Sequence, residues 1–149
     1  MAVDFTQRFS EEHYPLAYEH ADSIAIGTHY TSYVSLANYY RAVAVIDVGD
    51  MAATATVDFS VVQASDSSGT GVKAITDKAA TQLTQAGGDG GEIICIEVRG
   101  EELDVANGFE HVAIKAVVAA AAVEYSAILY GCVPAYAPVP TTNWSEIVD

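Results

Sequence analysis

Alternation of apolar and polar side chains is clearest over residues 53–65. There Ala55, Val57, Phe59 and Val61 stand against Thr54, Thr56, Asp58 and Ser60, which predicts a strand with one buried and one wet face. Residues 39–50 differ. Val43, Val45 and Asp47 alternate with Ala42, Ala44, Ile46 and Val48, so both faces are mostly apolar, predicting a strand buried on both sides. Residues 92–100 read as another strand. Over residues 109–133, Val112, Ile114, Ala116 and Val118 face one way and His111, Ala113, Lys115 and Val117 the other. The alanine run at 119–122 is helix-forming, but the flanking Val, Ile and Tyr residues favour two long strands joined as a hairpin. Residues 72–86 carry both periods and are read as a strand followed by a loop.

Punctuation separates these runs. Gly49-Asp50, residues 66–71 (DSSGTG) and residues 87–91 (GGDGG) have turn composition. Residues 101–108 resemble a helical turn closed by Asn107-Gly108. Residues 1–38 hold no sustained period and are read as an aromatic-rich N-terminal arm of loops and short turns, with Ser10 a candidate helix N-cap limited by Pro15. The tail, residues 134–149, carries Pro134, Pro138 and Pro140 and one tryptophan, Trp144, and reads as an extended arm with an apolar plug. The expected fold is mainly β: a jelly-roll-like or immunoglobulin-like β-sandwich over residues 39–133, with extended N- and C-terminal arms.

Composition narrows the function classes. The chain has 149 residues, one ordinary domain, with 51% hydrophobic and only 17% charged residues. Twenty acids against six Lys and Arg give a formal charge of −14. Nucleic acid and anionic membranes both demand cations, so neither is an expected partner. Residues 1–14 lack the apolar region of a secretory signal. The most apolar stretch, 112–133, contains Lys115 and Glu124 and is not expected to span a membrane. Cys95 and Cys132 lie in apolar runs and are read as buried free thiols, a disulfide requiring two strands to bring them together.

Catalytic patterns are sparse. His13 and His20 are seven residues apart, each preceded by a glutamate, but Pro15 weakens any helix that would align them as metal ligands. No GxSxG or HExxH is present, and Gly69-Thr70-Gly71 lacks the lysine and spacing of a phosphate loop. Asp47, Asp50 and Asp58, and Glu101, Glu102 and Asp104, form acidic groups. Calcium suits such oxygen-rich loops, yet no DxDxDG loop occurs. The expectation is a non-enzyme without cofactor or metal. Low charge with high apolarity points instead to a chain that covers its surface with partners.

The order of several segments is similar to small structural virion proteins of tailed bacteriophages. Asn38-Tyr39-Tyr40-Arg41 leads into a Val/Ala strand ending Asp47-Val48-Gly49-Asp50-Met51. Gln63-Ala64-Ser65-Asp66, Gly69-Thr70-Gly71 and Lys73-Ala74-Ile75-Thr76 follow, then Val98-Arg99-Gly100-Glu101-Glu102-Leu103-Asp104 before Gly108-Phe109. The likeness covers about residues 36–133 and is greatest to head decoration, or cement, proteins. It implies a protein on the outer capsid surface that binds the major capsid protein, bridges capsomers and self-associates as a dimer or trimer. A head–tail connector or tail component is the alternative within the virion. A ligand- or glycan-binding sandwich is the alternative outside it. Aromatic residues are enriched at interface hot spots, which makes Phe5, Phe9, Tyr14, Tyr18, Tyr30, Tyr33, Tyr136 and Trp144 the candidate interface residues.

Overall fold

A computed structural model describes residues 8–136 and 139–148. After one helical turn, α1 (Phe9–Glu12), the chain forms ten strands: β1 (Tyr14–Ile24), β2 (Gly27–Tyr30), β3 (Val34–Ser35), β4 (Tyr39–Met51), β5 (Thr56–Ala64), β6 (Lys73–Ala79), β7 (Leu83–Thr84), β8 (Ile93–Arg99), β9 (His111–Ala119) and β10 (Val123–Pro134). They make two antiparallel sheets, the β-sandwich expected from the alternation. One has the order β1-β10-β4-β8. The other has the order β2-β9-β5-β6, with β3 added on β9 and β7 on β5.

The inner faces are those the alternation marks. Ala42, Ala44, Ile46 and Val48 of β4 meet Val57, Phe59 and Val61 of β5, with Val112, Ile114, Ala116 and Val118 of β9 beside them. Phe59 and Tyr125 pin the sheets together, edge to face, with ring centroids 5.0 Å apart. Burial of the Tyr125 phenol among these side chains pushes its pKa up to about 12.

Five local expectations are corrected. Residues 14–35 are strands, not loops: β1 pairs with β10 and β2 with β9, so this stretch is built into both sheets. Its period is hidden because β1 shifts register between Pro15 and Ala17 and again between Glu19 and Asp22, each shift reversing the alternation. Helix α1 starts at Phe9, one residue before Ser10, with the Arg8 N–H donating to Glu11 Oε2 at 2.9 Å. Strand β4 is buried on one side only; Val43 and Val45 are half-exposed and Asp47 is exposed.

The fourth correction concerns β9 and β10, which are not a hairpin. β9 pairs with β2, β3 and β5, whereas β10 pairs with β1 and β4 in the other sheet. The link between them crosses the sandwich, with Ala120 at φ 64 and the Ala121 N–H donating to Ala119 O at 2.8 Å. Alternation is the same for a hairpin and for an arch between sheets, so it carries no signal to separate them. The fifth correction is at Gly49-Asp50, which lies inside β4; the chain turns at residues 53–54 instead, with Thr54 at φ 71 and the Ala55 N–H donating to Ala52 O at 2.9 Å. Turn chemistry is otherwise more faithful. Asp66 Oδ1 accepts from the N–H groups of Ser68 and Thr70, and Gly69 at φ 82 lies where a Cβ would strike the Tyr33 ring.

Candidate interaction surface

The outward face of the β1-β10-β4-β8 sheet carries a central apolar band, with Asp47, Glu97 and Arg41 at its margins. In antiparallel sheets, paired residues point to the same side. Register therefore aligns one row across all four strands: Tyr18, Ile128, Val45 and Cys95. A second row runs Pro15, Tyr130, Val43 and Glu97. Ser126, Asp47 and Ile93 begin a third, and Ile93 is 72% exposed. Val43, Val45 and Ile128 are aliphatic and escape an aromatic-based reading of the sequence, which also passed over Tyr130. The signal for Val43 and Val45 was the apolar second face of residues 39–50, which meets solvent rather than another layer.

The two ends of the described chain cover one part of this face. Phe9 stacks on His13 at 4.2 Å and meets Tyr130 edge-on at 5.7 Å. Trp144 lies 6.4 Å from both Phe9 and Tyr130. Among the described residues four hydrogen bonds tie the tail down, the first from the Ala135 N–H to Asn38 O at 2.9 Å. Tyr14 Oη and Thr142 Oγ1 lie 2.7 Å apart, Asn143 Nδ2 donates to Pro15 O, and the Val139 N–H donates to Glu11 O. Trp144 Nε1 is buried without an acceptor among the described residues.

The candidate aromatics thus fall in different places. Phe9 and Trp144 form the cluster on Tyr130. Tyr14 is buried in the fold, and Tyr18 lies half-exposed on the apolar face. Tyr30 and Tyr33 pair with each other, 5.7 Å apart, at the other sheet. Tyr136 is 80% exposed on the tail. Phe5 lies outside the described residues.

Charge is distributed unevenly around this face. Arg41 pairs with Glu97 at 3.7 Å, Lys78 with Glu102 at 3.0 Å and Arg99 with Glu101 at 3.1 Å, while Lys73 pairs with Asp104 and sits over the Phe109 ring. The Arg99 N–H and then Lys78 hold the Glu102 carboxyl below the ordinary range. Lys73, then Asn107, do the same for Asp104. At the end of the sandwich a groove of about 520 Å³ runs between Tyr40, Leu103, Val105 and Val133, with Arg41 and Arg99 on its wall.

Both cysteines are free, and only Cys132 is buried. The expectation of two buried thiols is corrected for Cys95, which points outward from β8. Burial pushes the Cys132 thiol up to about 11. His13 closes α1 and His20 lies in β1 beside Tyr18, so one helix does not carry both. Among the described residues, no three His, Cys, Asp or Glu side chains are grouped to hold a metal ion. No described helix is long and apolar enough to cross a membrane. Compared with protein-family models, with curated proteins and with solved structures, the chain matches none.

Proposed function

We propose that the chain is a structural virion protein of a tailed phage, which decorates the outer capsid surface and stabilises the shell by bridging copies of the major capsid protein. The observation that carries this reading is the apolar band on the outward face of the β1-β10-β4-β8 sheet, where among the described residues Tyr18 is 52% exposed and Val45 and Ile128 are half-exposed. An apolar patch framed by an acidic surface is the form of a protein-binding site rather than of a nucleic-acid site. The order of segments over residues 36–133, similar to that of phage decoration proteins, supplies the class of partner.

The mechanism is mass action. A protein that binds only the assembled shell stabilises each site by RT ln(1 + [L]/Kd), and many weak sites on one lattice sum to a large effect. Self-association would add avidity by presenting two faces to neighbouring capsomers.

Copy number in purified particles, measured against the major shell protein, tests the reading. A ratio near one, or a simple fraction of it, supports decoration. A few copies per particle makes the chain a connector or tail component. Absence from particles overturns the virion assignment. The groove beside Tyr40, Leu103 and Val105 favours a second reading, a ligand- or glycan-binding sandwich, because its volume falls within the range of small-molecule sites. Thermal stabilisation by members of a glycan panel would support that reading instead.

A further inference from the structure

Six strands lie at the edges of the two sheets: β1 and β8 in one, and β2, β3, β6 and β7 in the other. Exposed edges recruit further strands unless they are blunted. Five of these are blunted. β1 carries two register shifts, and Asn143 of the tail bonds to its Pro15 carbonyl. β6 shifts register against β5 and has Asp77 at φ 59. β2 is four residues long, and β3 and β7 are two residues each.

β8 has none of these devices, although residues 77–80, at the end of β6, lie beside it and line one cavity with its Ile94, Cys95, Ile96 and Glu97. Its seven residues contain no Pro or Gly and pair with β4 one for one, from Ile93 opposite Asp47 to Arg99 opposite Arg41, without a shift. The direction of its free groups follows from the ladder. The Val48 N–H donates to Glu92 O and the Gly91 N–H to Val48 O, so Ile46, Ala44 and Ala42 continue the bonded set with Ile94, Ile96 and Val98. Ile93, Cys95, Glu97 and Arg99 therefore turn their N–H groups off the edge. Arg99 fits this assignment, since its N–H donates to Glu102 Oε2 at 2.8 Å. The other three have no hydrogen-bond acceptor among the described residues.

Electrostatics single out the same edge. Arg41, Lys73, Lys78 and Arg99, four of the six cations, neutralise carboxylates on and around it. Two copies that each carry −14 repel least where those charges are already compensated.

We infer that β8 pairs antiparallel with β8 of a second copy about a two-fold axis, joining two four-stranded sheets into one continuous sheet. A two-fold axis makes the contact self-complementary and the strands antiparallel. Outward N–H groups must meet outward carbonyls, which allows centres at Cys95, Ile96 or Glu97. A centre at Glu97 sets like charges opposite each other and is disfavoured. The remaining two place the Cys95 pair directly opposite, with Cα atoms about 5.5 Å apart, or diagonal at roughly 7–8 Å. The joined sheet also merges the two apolar outward faces. This pairing does not depend on the virion assignment: a chain that dimerises through β8 yet never enters particles fails only that assignment.

The test uses the full chain, reduced and then exchanged into thiol-free buffer. Sedimentation equilibrium over a concentration series should show a monomer–dimer equilibrium. A short bismaleimide should give a covalent dimer that Cys95→Ser abolishes, while buried Cys132 does not substitute for it. Cys95→Pro removes an edge N–H without touching the bonds to β4. It should weaken dimerisation at least tenfold, with circular dichroism unchanged. Should that variant fail to fold, the cross-link in the unaltered chain still decides. A monomer at every concentration overturns the inference, as does a dimer that gives no Cys95 cross-link. Pairing of β8 with an extended segment of another protein would read as the first of these.

Discussion

Strand β5 in one sheet and strand β4 in the other contribute closely matched inner faces. Val57, Phe59 and Val61 on β5 are sealed in the core, as are Ala44, Ile46 and Val48 on β4. Their outward faces diverge. β5 turns out Thr56, Asp58 and Ser60, and its neighbour β9 turns out Lys115 opposite Ser60. β4 turns out Val43 and Val45, flanked by Ile128 and Tyr130 of β10. Water suffices for the first set, whereas the second gains free energy by being covered. The tail covers one end of it through Trp144 and leaves the row through Tyr18 and Val45 open. The difference locates the surface on which a partner would act, and it can be broken or sharpened by experiment.

The largest effect should separate the two faces of β4. Ile46→Ala empties a fully buried site and should cost about 2–5 kcal/mol in denaturant unfolding. Val45→Ala, on the half-exposed face next door, should cost under about 1 kcal/mol. Equal costs would mean that the outward face is as enclosed as the core, and the contrast would fail.

An intermediate effect is expected at the covered end. Trp144→Ala removes a half-buried ring from Phe9 and Tyr130 and should lower stability by about 1–2 kcal/mol. Tyr18→Ala, on the open part of the face, should stay within about 0.5 kcal/mol in the isolated protein. It should nevertheless weaken binding to shells in co-sedimentation. A Tyr18→Ala protein that binds shells as well as the unaltered chain would remove the open row from the interface.

The smallest effect concerns acid. The folded-state pKa of Glu102 lies below its unfolded value because the Arg99 N–H and Lys78 stabilise the carboxylate. Its stabilisation is thus complete above the unfolded value, about 4.3, and is lost as pH falls through the folded one. Glu102→Gln should flatten the fall in unfolding midpoint between neutral pH and about pH 3. An unchanged pH profile would show that other carboxylates carry the acid response.

Legibility varied with the physical cause of each feature. β5 was plain in the sequence because one wet face forces strict alternation. The turn at Asp66–Thr70 was plain because Asp, Ser and Gly bond and bend locally. The strands of residues 14–35 were not, because bulges in β1 reverse its alternation and its pairing with β10 rests on backbone bonds that any side chain permits. Of the candidate aromatics, Phe9 and Trp144 come together only because β1 and β10 bring distant parts of the chain into register. The aliphatic residues of the open face were visible as a second apolar face on β4, with nothing to tell a covering layer from solvent.

The amino-acid pattern by itself determined the β class, the inner faces of β4, β5 and β9, the turns at residues 66–71 and 87–91 and the strongly acidic balance. Each follows from local side-chain chemistry or from a period of two. Tertiary structure alone decided that β9 and β10 part into opposite sheets, that the tail folds back on Tyr130 and that β8 is left as an unblunted edge. These depend on which strands meet across long separations in sequence. Backbone hydrogen bonding is the same for every partner, so the choice rests on the packing of the whole sandwich.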